Sequence, residues 1–124
     1  MISPPFTTKV YMNFNYGAWG LSFEKTFELP CAPFYDLILF EDDTNENTIE
    51  FSNNDYGHST RIYFNVKEDI FFVDVREYWK HPVRDDVVDD ILEKFASSGW
   101  KRTDTTDINQ LKELMNRDYN RNKS

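Results

Sequence analysis

Near residue 80 the apolar residues of this chain change their period. Val10, Met12, Phe14 and Tyr16 alternate with Lys9, Tyr11, Asn13 and Asn15, the period of two that a strand with one buried face requires. From Val83 onward, Val83, Val87, Val88, Ile91, Leu92 and Phe95 recur at helical spacing among Arg84, Asp85, Asp86, Asp89, Asp90, Glu93 and Lys94. That spacing lays one apolar stripe along a helix. The fold class predicted is α+β: a curved antiparallel meander sheet of about six strands, followed by two C-terminal helices, the first packed on the sheet.

The strands expected are Thr8 to Tyr16, Leu21 to Leu29, Phe34 to Glu41, a short one carrying Ile49 and Phe51 inward, one with Ile62, Phe64 and Val66 inward, and Ile70 to Arg76. Tyr16-Gly17-Ala18-Trp19-Gly20 and Lys67-Glu68-Asp69 read as turns. Lys25 interrupts an apolar side, which places it near a sheet edge or an opening where its ammonium reaches water. Leu37-Ile38-Leu39-Phe40 is apolar on both sides and reads as a central strand covered by a helix.

Pro82 suits the first turn of the first helix, and Gly99 suits the left-handed residue just past its end. Asp107 with Gln110 three residues on forms a capping-box pattern that starts the second helix, whose apolar face is Ile108, Leu111, Leu114 and Met115. The sequence predicts a single domain over residues 1–119, fraying from Asn116 and with a disordered tail over 120–124.

Composition narrows the function classes. The net charge is −8, and residues 1–100 hold 8 Lys/Arg against 18 Asp/Glu while residues 101–124 hold 6 against 4. An acidic body repels nucleic-acid phosphates and anionic membranes, so neither is expected as a partner, and a basic protein is the electrostatically natural one. The same acidity also keeps an aromatic-rich domain in solution. Cys31 is the only cysteine, so no disulfide forms within the chain. No basic n-region or long apolar run appears in the sequence, which reads as a cytoplasmic protein.

Chemical motifs are sparse. With four glycines in the chain, neither G-x-G-x-x-G nor G-x-x-x-x-G-K-[ST] occurs. Asp43, Asn45 and Asn47 match the first three ligand positions of an EF-hand, but Thr48 stands where its glycine is needed and Asn54 where its bidentate glutamate is needed. Cys31 with His58 or His81, oriented by Asp55, has the residue types of a nucleophile and base but no local signature. The same residues lack zinc-ligand spacing, so no cofactor or metal is expected.

Eleven Phe, seven Tyr and three Trp exceed what strand patterning needs, and Tyr11, Tyr56, Tyr63 and Tyr78 fall off the apolar faces. Such residues cover an outer sheet face or anchor a binding surface. The expected function is a non-catalytic acidic protein-binding domain, of the inhibitor or immunity-protein type, that recognises a basic partner. Its candidate contact residues are Glu41, Asp42, Asp43, Glu46, Asp55, Tyr56 and His58 in and beside the acidic loop 41–55. The alternatives are a small-ligand-binding domain with an aromatic-lined pocket and a carboxylate-dependent hydrolase.

Overall fold

The computed structural model describes residues 3–41, 47–54 and 56–122. Along the chain run β1 (Phe6–Tyr16), β2 (Trp19–Leu29), β3 (Ile38–Phe40), β4 (Thr48–Glu50), β5 (His58–Asn65), β6 (Ile70–Tyr78), α1 (Asp85–Ser97), β7 (Lys101–Arg102) and α2 (Ile108–Asn122). The fold is α+β, with the helices packed on one face of the main sheet. That sheet has five strands in the order β5-β6-β1-β2-β7, and β3 with β4 makes a second sheet of two strands.

Two hairpins build the main sheet. β1 and β2 join through Gly17-Ala18 with Tyr16 opposite Trp19, and β5 and β6 join through residues 66–69 with Asn65 opposite Ile70. In the second turn the Asp69 N–H donates to the Asn65 carbonyl at 2.8 Å. Val66, expected inward, lies in this turn and is exposed. The hairpins meet along β1 and β6, which are parallel, so the sheet is mixed rather than a pure meander. A parallel pair needs a long crossover, and β2 to β5 supply one. Side chains alternate identically in either direction, so the period of two could not reveal this.

The inner face carries Val10, Met12, Phe14, Leu21, Phe23, Val73 and Val75, all buried. Val88 and Phe95 of α1, Trp100, and Leu111 and Met115 of α2 close over it. Phe95 is the hub, stacked on Phe23 at 4.5 Å between ring centroids and edge-on to Phe14 and Trp100. Only Val88 and Phe95 of the α1 stripe are fully buried, while Val83, Ile91 and Leu92 line its margin.

The helix limits differ slightly from those expected. α1 starts at Asp85 after Arg84, so Pro82 precedes the first turn, while Gly99 has φ +82° just past the helix as predicted. Asp107 accepts the Gln110 N–H at 3.2 Å as the capping residue of α2. α2 continues to Asn122, past the predicted fraying at Asn116. The Tyr16 hydroxyl donates to Asp118 at 2.8 Å and fixes this last stretch to the β1 end, holding the Asp118 carboxyl below its usual range.

The largest correction concerns residues 34–41. The predicted central strand is only Ile38–Phe40, it lies outside the main sheet, and Ile38 and Phe40 are 43% and 59% exposed. A turn shortens it: Leu37 N–H donates to the Phe34 carbonyl and Asp36 takes φ +74°. Leu37 and Leu39 pack against the core, together with the buried Ile49 and Phe51 on the opposite segment. The run is apolar on both faces, yet only the face of Leu37 and Leu39 meets the core and the other is exposed.

Candidate partner-binding surface

The small sheet is fastened to the body by Lys25. This β2 residue points to the inner face, where its Nζ lies 2.9 Å from Glu41 Oε1 and 2.6 Å from the Ser98 carbonyl past α1. Trp100 Nε1–H donates to the same carboxylate at 3.1 Å. Glu41 is therefore turned inward, with its side chain 8% exposed. It braces the small sheet and cannot reach a partner, so it leaves the candidate contact group.

His58 is also committed internally. It begins β5 opposite Glu77 of β6, with Nδ1 3.1 Å from Glu77 Oε1 and Nε2 3.1 Å from the Glu50 carbonyl. The ring clasps the outer edge of β4 to the main sheet. Each ring nitrogen faces an oxygen of the protein itself, so the imidazole is held within the fold rather than aimed into the cleft. Tyr56, two residues earlier, is 86% exposed. Asp42, Asp43, Glu46 and Asp55 lie outside the described residues.

Between the small sheet, β5, β6 and α1 runs an open cleft. One lobe, of about 450 Å³, is bordered by Met12, Ile49, Tyr56, His58, Glu77 and Trp79; an adjoining lobe of about 290 Å³ reaches Val87 and Phe95. It is a surface depression beside a filled core, not an enclosed pocket within the sheet. Among the described residues, no three His, Cys, Asp or Glu side chains converge to hold a metal. No helix among them is long and apolar enough to cross a membrane.

The outer face of the main sheet is internally satisfied. Tyr11, Phe72 and Tyr63 stack across β1, β6 and β5 at 6.3 and 5.4 Å. Lys9 pairs with Glu24, and Asp74 receives both Arg76 and Asn13, the latter at 2.6 Å. Tyr11 and Tyr63 thus cover the outer face.

Among the described residues, five of the eight exposed large hydrophobics lie between residues 34 and 56, the others being Tyr63, Val66 and Tyr78. Phe34, Tyr35, Ile38, Phe40 and Tyr56 are all more than 40% exposed. Residues 26–60 hold eight Asp/Glu and no Lys or Arg, an asymmetry that the total over residues 1–100 hides. Exposed aromatics on an acidic segment combine the two features of a basic-partner interface. Sequence reasoning missed Phe34, Tyr35, Ile38 and Phe40, because a long apolar run looks the same whether it is buried or presented. Compared with family models, with curated proteins and with solved structures, the chain has no match in any of the three.

Proposed function

We propose that this protein is a non-catalytic, acidic protein-binding domain that recognises a basic partner, in the manner of an inhibitor or immunity protein. The observation that supports it is the coincidence, within residues 26–60, of seven acidic residues besides the Lys25-paired Glu41, no Lys or Arg, and a group of exposed aromatic and aliphatic side chains. Acidic residues steer a cationic partner into encounter, and the aromatic anchors hold it once docked.

Capture from a native lysate, followed by surface plasmon resonance with the captured protein, tests this reading. The association rate is expected to fall as salt rises while dissociation changes little. Reversing Asp42, Asp43 and Glu46 to Lys is expected to reproduce that fall at low salt with the fold intact. An association rate indifferent to salt and to the reversal would reduce the acidic segment to a solubilising feature. The cleft supports small-ligand binding as a second reading, since its volume is ligand-sized and Tyr56 and Trp79 border it; a saturable thermal shift with a small molecule, abolished by Trp79→Ala, would favour it.

A further inference from the structure

We propose that the outward edge of β3 is a strand-docking site, which takes an extended basic segment of the partner as a third strand of the small sheet. This rests on the partner-binding reading and names where and how the partner binds. The Glu41 N–H donates to Asn47 and the Phe51 N–H to Leu37, so residues 37 and 41 face β4. Antiparallel strands alternate facing and outward residues. Leu39, paired with Ile49, therefore also faces β4, and the N–H and C=O groups of Ile38 and Phe40 point away from it. No third strand joins the small sheet on that side among the described residues.

The other edges differ. His58 binds the Glu50 carbonyl on the outer edge of β4. Asn53 Oδ1 accepts the Thr60 N–H at the start of β5, and β7 covers β2 at Phe23 and Glu24. Native edges are blunted by Lys, Pro, bulges or covering segments. β3 is short, which is another such device, but Ile38-Leu39-Phe40 carries no charge or Pro, no strand among the described residues covers its outer edge, and the Ile38 and Phe40 side chains are exposed and apolar. An exposed edge with apolar side chains is the feature that strand addition uses, the backbone giving affinity and the side chains specificity.

Charge selects the occupant. Exposed Asp36 lies just before β3, and exposed Glu50 stands opposite Ile38 on the same face. A second copy of this chain would bring −8 against −8, whereas a basic strand would be attracted. Residues two apart share a face, so on the Ile38 face the docked strand would set an apolar residue beside Phe40 and a Lys or Arg two residues along, toward Asp36 and Glu50.

Amide exchange of the labelled full chain, read by NMR, tests the site with a short extended peptide that carries Val and Lys on the same face as probe. In the free protein the Ile38 and Phe40 amides are expected to exchange faster than that of Leu39, and saturating peptide to slow them by about tenfold or more. A peptide N-methylated along one edge is expected to bind about tenfold more weakly. Ile38→Pro removes an outward donor without touching a bond to β4, and is expected to weaken binding similarly. If Pro also abolishes Leu39 protection, the double change Ile38→Lys and Phe40→Lys serves instead, repelling the peptide while leaving the strand paired. Salt-sensitive peptide binding that leaves Ile38 and Phe40 exchange unchanged overturns the docking site but leaves the basic-partner reading standing. Absence of peptide binding overturns the docking site too, and the captured partner then judges the broader reading. Protection that grows with protein concentration alone, with a dimer mass, would make the occupant a second copy and refute the proposal.

Discussion

Lys25 Nζ lies 2.9 Å from Glu41 Oε1, and through this pair the second strand of the main sheet holds the residue that follows β3. Lys25 also donates to the Ser98 carbonyl, so a single ammonium joins the sheet, the end of α1 and the small sheet. Its stem passes Phe27, with the ammonium 5.3 Å from that ring.

Removing one partner should cost more than removing both. Glu41→Ala leaves Lys25 and the Trp100 N–H without their acceptor and is expected to destabilise by about 1–3 kcal/mol. Lys25→Met combined with Glu41→Ala should cost less than the sum of the two single changes, because neither charge is then stranded. Urea midpoints of the four proteins in the cycle check this, and strict additivity would show that the pair does not interact.

The core hub sets a graded series on α1. Phe95→Ala should cost about 3–5 kcal/mol through lost burial and the cavity it leaves among Phe14, Phe23 and Trp100. Ile91→Ala, at the margin, should cost less, and the exposed Asp89→Ala about 0.5 kcal/mol or less. Equal losses at Ile91 and Asp89 would mean that the margin of α1 is not packed.

Asp104 makes a pH-dependent contribution. Burial opposes its charge, but the Arg102 guanidinium and the N–H groups of Ser22 and Thr106 bind the carboxylate and outweigh that opposition, holding it below its usual value of 3.8. A carboxylate with a depressed folded pKa adds stability that is present above the unfolded value and is lost as pH falls through the folded one. Asp104→Ala should therefore destabilise at pH 7 by about 1–3 kcal/mol, and the gap should narrow as the pH falls below 3.8. Thermal melts of both proteins across that range report the difference.

Gly57 positions the start of β5. It has φ +94°, and a Cβ there would lie 2.7 Å from the Tyr78 carbonyl oxygen. Gly57→Ala should destabilise by about 1–3 kcal/mol from backbone strain, with added cost if Tyr78 is displaced. Because the Tyr78 N–H donates to the Gly57 carbonyl, the His58–Glu77 pairing should loosen as well. A native-like melting temperature for this variant would contradict the strained geometry.

Much of the local structure was legible from the chain alone, because it depends on neighbours in sequence. The alternation in β1 and β2, the hairpin turns, the Asp107 cap and the Gly99 helix terminus follow from side-chain period and backbone preference. The polar demand of Lys25 within an apolar face was legible too, although its partner Glu41 was not. That partner was instead assigned to the surface, since a carboxylate at the head of an acidic loop has no sequence mark of its inward turn. His58 was read as a loop residue for the same reason: its partners Glu77 and the Glu50 carbonyl are set by strand pairing across the fold.

The sequence by itself determined the α+β class, the succession of six strands and two helices without the short β7 that lies between those helices, the buried face of each long element, and the acidic character of the chain. Tertiary structure alone decided that β1 and β6 run parallel, that β3 leaves the main sheet, and that Ile38 and Phe40 face solvent. Period and composition report which residues need burial or water, but they are blind to strand direction and to which long-range neighbour supplies the cover. Those choices come from how two hairpins and two helices share one core face, a contest settled only when the whole chain has packed.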